Sequence, residues 1–101
     1  MAMLHIVNKS PYETSTLESC LNHAKEGDTV LLIEDAVYAA MKGGRAANAL
    51  SAAKGVKFAA LSADLKARGI GEDRIVEGTE VVDYGGFVDL VEANDKTQSW
   101  L

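Results

Sequence analysis

The chain has 101 residues, 48% hydrophobic and 25% charged, with a formal net charge of -5; these are the proportions of one ordinary globular domain over 1–101 rather than of a disordered segment. Its 10 Lys and Arg are scattered among 15 Asp and Glu, which argues against direct nucleic-acid binding, because affinity for a phosphate backbone comes from clustered cations. Apolar runs such as Val30 to Ile33 are too short to cross a bilayer, and no basic segment followed by a long apolar one opens the chain, so the expected location is the cytoplasm.

In chain order, Met1 and Ala2 read either as a native start or as an addition before Met3. Leu4 to Val7 is a short apolar run closed by the turn-forming group Asn8, Lys9, Ser10 and Pro11, and reads as a first strand. Ser15-Thr16-Leu17-Glu18 has capping-box spacing, with Ser10 to Glu13 as a competing helix start. The helix runs to about Lys25, before Gly27, and Leu17, Cys20, Leu21 and Ala24 fall on one apolar stripe. Thr29 to Ile33 is a second strand, and its unbroken apolar character suits a strand covered on both faces. Asp35 is the expected N-cap of a segment through Met41, Gly43-Gly44 breaks the chain, and an alanine-rich helix covers Arg45 to Ala53.

Val56 to Leu61 is a third strand, Ser62 caps a short helix through Arg68 that Gly69 ends, and Val81 to Tyr84 is a fourth strand. Asp83 caps a last helix with Phe87, Leu90 and Val91 expected inward. Glu92 to Ser99 is polar and reads as loose, leaving Trp100 either to fold back on the core or to dock on a neighbour. This alternation implies a small α/β domain, a mainly parallel sheet with helices on both faces, flavodoxin-like or Rossmann-like.

The turn at Asn8 to Pro11 has no glycine to admit a phosphate, so neither a dinucleotide fingerprint nor a P-loop is present. Lys42-Gly43-Gly44-Arg45 is either a small anion nest or a helix break with solvated cations, the second being the simpler reading. His5 and His23 lack metal-ligand spacing, so no metal or other cofactor is expected. His5 alternates with Leu4 and Ile6 and faces the other side of its strand, while His23 lies off the stripe of its helix; structural roles suit both. Glu34 and Asp35 follow a strand at the sheet end where α/β folds place ligands, but helix capping and solvation are the preferred reading of both. Cys20, the single cysteine, excludes an intrachain disulfide and is the candidate site residue. A lone thiol can accept sulfane sulfur as a persulfide and pass it to a partner's thiolate, although its place on an apolar stripe also suits an inert core thiol.

Leu4-His5-Ile6-Val7-Asn8-Lys9-Ser10-Pro11, then Glu26-Gly27-Asp28 before Val30-Leu31-Leu32-Ile33-Glu34-Asp35, then Ala63-Asp64-Leu65-Lys66-Ala67-Arg68-Gly69-Ile70 form an ordered series. It continues through Val81-Val82-Asp83-Tyr84, Phe87-Val88-Asp89-Leu90 and Gln98-Ser99-Trp100. Together these stretches, which span nearly the whole chain, resemble the DsrH/TusB family of sulfur-relay proteins. The resemblance implies a DsrE/DsrF/DsrH-like fold and a heterohexamer with DsrE/TusD-like and DsrF/TusC-like sister subunits. It also implies delivery of persulfide sulfur to a DsrC/TusE-type acceptor, either in dissimilatory sulfur oxidation or in 2-thiouridine synthesis in tRNA. The best-established carrier cysteine of that family lies on the sister DsrE/TusD subunit. Cys20 matches a cysteine position of DsrH proteins that TusB proteins can lack, which points toward the sulfur-oxidation branch with Cys20 as a persulfide carrier.

Overall fold

Thr29, Val30, Leu31 and Leu32 are all buried, and the strand they form is the middle of the sheet. A computed structural model describes residues 2–100. Strands β1 (Met3–Val7), β2 (Thr29–Leu32), β3 (Lys57–Leu61), β4 (Thr79–Val82) and β5 (Lys96–Trp100) lie in the order β4-β3-β2-β1-β5. Every neighbouring pair is parallel. The connections are helices α1 (Thr16–His23), α2 (Arg45–Ala52), α3 (Ser62–Ala67) and α4 (Tyr84–Ala93), with a 3-10 segment at Glu34–Ala40 and a 3-10 turn at Glu72–Arg74.

This order decides how the helices divide. From β1 to β4 each crossover steps the same way across the sheet, and the common handedness of such crossovers puts their helices on one face. The return from β4 to β5 runs the other way and carries α4 to the opposite face. Two apolar clusters result. Val7, Val30, Leu32, Phe58 and Ala60 of the sheet pack with Leu17 and Cys20 of α1, Ala36 to Ala40, Leu50 of α2 and Leu65 of α3. Leu4, Ile6, Leu31, Ala59, Leu61 and Val82 point the other way, where Ile33 and the α4 residues Phe87 and Leu90 cover them. The flavodoxin-like α/β class with helices on both faces is as the sequence implies, and the sheet is parallel throughout.

Several local expectations change. The polar stretch through Ser99 is not loose: Lys96–Trp100 is the fifth strand, in register with Met3–Val7. It is an exposed edge strand, so four of its five residues are polar and it lacks the apolar alternation that marks a half-buried strand. The fourth strand starts two residues earlier than expected and stops at Val82, because Asp83 leaves the sheet to cap α4, accepting the Gly86 N–H at 2.8 Å. Phe87 and Leu90 turn inward as expected, whereas Val91 is exposed. Ser15 does precede α1, but neither hydroxyl nor carboxylate closes the capping box. Asp35 caps nothing: Ile33 precedes the 3-10 segment, and Asp35 instead accepts from Arg68 Nε at 3.0 Å. Ser62 is likewise inside α3, with Leu61 at its cap position.

Candidate functional site around Cys20

Cys20 is completely buried, packed on the inward stripe of α1 that its spacing predicts, with Leu17 buried beside it. Below α1, the adjoining strands and the turn before β2 assemble a polar cluster within this otherwise apolar layer. His5 sits in β1 with its side chain opposite to Leu4 and Ile6, as alternation requires. Asp28 closes the Lys25 to Asp28 turn, where Gly27 takes φ +94° and the Asp28 N–H reaches the Lys25 carbonyl. Trp100 enters from β5, placed directly opposite Val7 by the parallel register.

The cluster is closely hydrogen-bonded. Asp28 Oδ2 lies 2.9 Å from His5 Nε2 and also accepts the Lys25 N–H at 3.0 Å, while Oδ1 accepts the Met3 N–H at 3.0 Å. Trp100 Nε1 donates to His5 Nδ1 at 3.0 Å. An indole N–H only donates, so Nδ1 must be the accepting nitrogen and the His5 proton belongs on Nε2, aimed at Asp28. His5 is therefore held between an acceptor and a donor. The Trp100 ring also lies 5.3 Å from that of His23, whose Nδ1 is 3.0 Å from the Ser19 carbonyl on α1. Burial works against the Asp28 charge, but the His5 and backbone hydrogen bonds prevail and hold its carboxyl below the usual carboxylate range.

The same surroundings act oppositely on the thiol. Burial first, and the nearby Asp28 carboxylate second, push the Cys20 thiol up to about 12. At neutral pH the sulfur is a protonated thiol with no path to solvent, whereas attack on a sulfur donor requires the thiolate.

The remaining candidates fall apart spatially and chemically. Lys42 to Arg45 is a turn: Gly43 takes φ +83°, Gly44 precedes α2 with tyrosine Oη where a Cβ would project, and Arg45 lies over the Tyr12 ring at 5.9 Å. An open groove of about 410 Å³ follows, between the segment after β1 and α2, with Tyr12, Leu17, Glu18, Leu21, Arg45 and Ala46 on its walls. Glu34 takes a left-handed backbone, φ +49°, at the end of β2, and its N–H donates to Asp64 Oδ2 at 2.8 Å. Arg68 then spans Asp35 and Asp64. These acidic residues knit the sheet end together.

The His5–Asp28–Trp100 cluster is the feature the sequence does not reveal. Only the alternation of His5 against Leu4 and Ile6 hinted at it, since Trp100 and His5 are brought together by a strand order no local pattern encodes.

Residues 9–97 match the model of the DsrH family, described as DsrH like protein. Protein TusB of Enterobacter sp. (strain 638) is 38% identical over 98 residues, 97% of this chain and 100% of that protein. Protein TusB of Pectobacterium parmentieri is 35% identical over the same shares. The chain belongs to the DsrH/TusB family. The DsrH/TusB fold extends to solved structures at lower identity. The ychN protein from E. coli superposes with a TM-score of 0.80 at 18% identity, covering 98% of each chain. A protein of unknown function from Methanobacterium thermoautotrophicum does so at 0.69 and 20%, covering 96% of each. Both likenesses concern the fold. No helix among the described residues is long and apolar enough to cross a membrane.

Proposed function

We propose that this chain is a non-catalytic assembly subunit of a cytoplasmic sulfur-relay complex of the TusBCD type, serving 2-thiouridine synthesis in tRNA. In this reading it joins DsrE/TusD-like and DsrF/TusC-like sister subunits in a heterohexamer and helps to position the sister's carrier cysteine. The complex passes persulfide sulfur to a DsrC/TusE-type acceptor. The family membership along nearly the whole chain, with relatives that are TusB proteins, supports the tRNA branch over sulfur oxidation.

The observation that carries the non-catalytic part is the state of Cys20. A persulfide relay needs a thiolate that two partners reach in turn; a buried thiol pushed up to about 12 offers neither ionisation nor access. The competing reading, Cys20 as a persulfide carrier in sulfur oxidation, requires α1 to lift away from β1 and β5.

Intact-mass analysis of the assembled complex after incubation with a sulfur donor separates the two. The expected result is a sulfur adduct on the DsrE/TusD-like sister and none on this chain. A donor-dependent adduct on this chain that Cys20→Ser removes would establish the carrier role instead.

A further inference from the structure

The net charge of -5 is not spread over the molecule. Between Ile75 and Asp95 the sequence holds six carboxylates, Glu77, Glu80, Asp83, Asp89, Glu92 and Asp95, and no Lys or Arg. All six are exposed. The rest of the chain has ten basic residues against nine acidic ones, so this one segment, β4 and α4 with their flanks, accounts for the whole negative excess.

The same segment carries three of the four exposed large hydrophobic residues among the described residues. Tyr84, Val88 and Val91 are 64%, 54% and 39% exposed, and their i, i+4, i+7 spacing lines them up along one side of α4. A stripe of this kind on a surface helix ordinarily faces a core. Here the core-facing positions are already taken by Phe87 and Leu90, and even these are only partly buried. One helix is all that covers this face of a five-stranded sheet, whereas three helices and a 3-10 segment cover the other. Glu92, one turn on from Val88, borders the stripe, Asp89 lies farther around the helix on its exposed side, Asp83 and Asp95 stand beyond the two helix ends, and Glu80 shares the Val82 side of β4.

We infer that the α4 face is a docking surface for a sister subunit whose contact patch is apolar at its centre and rimmed by Lys and Arg. This rests on the assembly reading above and adds which face is used and what meets it. An apolar strip on a segment that carries charge of one sign only has the anatomy of an interface core and rim. The sign selects the occupant: a second copy of this chain would set carboxylates against carboxylates, which like-charge juxtaposition penalises, while a basic rim is drawn in and oriented.

The test uses the full chain, co-expressed with each sister subunit and with both, followed by native mass spectrometry and titration of binding. Val88→Arg should weaken association with the contacting sister by about tenfold or more. Asp89→Asn with Glu92→Gln should weaken it less and reduce its dependence on salt. Asn48→Arg, on exposed α2, should bind as the native chain does. Because Val88, Asp89 and Glu92 are exposed, circular dichroism melts of these variants should match the native chain. Native-like assembly of both α4 variants would overturn the α4 surface while leaving the assembly reading intact. Failure of the native chain to bind either sister would overturn the assembly reading itself. A homodimer broken by Val88→Arg would overturn the choice of occupant.

Discussion

Asp28 is the residue on which the polar cluster depends, since one carboxylate satisfies His5 and two backbone amides drawn from different parts of the chain. Its folded-state carboxyl lies below the ordinary aspartate value of 3.8. The stability this contributes is therefore complete above the unfolded value and is lost as pH falls through the lower folded value. Asp28→Asn should destabilise the chain by about 1–3 kcal/mol at pH 7, the usual penalty for disrupting buried hydrogen bonds to a charged group. In urea melts the gap between native chain and variant should narrow in acid below about pH 4; a gap independent of pH would show that the charge is not what matters. Cys20 gives a second check. Its reaction with a disulfide reagent should be at least about a hundredfold slower in the native protein than in denaturant, and comparable rates would mean that α1 opens readily. The inward position of Cys20 was legible in the sequence, because Leu17, Leu21 and Ala24 mark the stripe. The thiol's raised pKa was not, because it depends also on Asp28, eight residues away and brought near by a turn.

Elements were legible to the extent that their signals were local. The β2 run reads as a buried strand because all four side chains are apolar or packed, and α4 is announced by Asp83, whose capping bond forms as expected. β5 was missed because an edge strand exposed to water has little reason to be apolar. Its one large apolar residue, Trp100, tells what the strand is for: it packs against the α1 side of the sheet and locks His5. Trp100→Ala should therefore cost about 3 kcal/mol, combining lost packing with an unmet His5 acceptor. Amide exchange should rise along both Lys96–Trp100 and Met3–Val7, since the two strands share one ladder. If exchange rises in β5 alone, β1 does not depend on its neighbour in this way.

At the scale of the whole molecule, the sheet order separates two surfaces with different properties. On one face Cys20 and the His5–Asp28–Trp100 cluster lie beneath α1, and that cluster is largely buried and hydrogen-bonded within itself. The other is a single helix with an apolar stripe among exposed carboxylates, open and unmatched. A subunit that contributes contacts and no sulfur chemistry would be built this way, with its thiol sealed and its interaction surface on the far side of the sheet. The most direct measurement is transfer of labelled sulfur to a DsrC/TusE-type acceptor by the reconstituted complex, made with the native chain, with Cys20→Ser, and without the chain. The account predicts transfer within about twofold of native for Cys20→Ser and its collapse when the chain is omitted. A fall of about a hundredfold with Cys20→Ser in a complex of native size, or undiminished transfer without the chain, would contradict it.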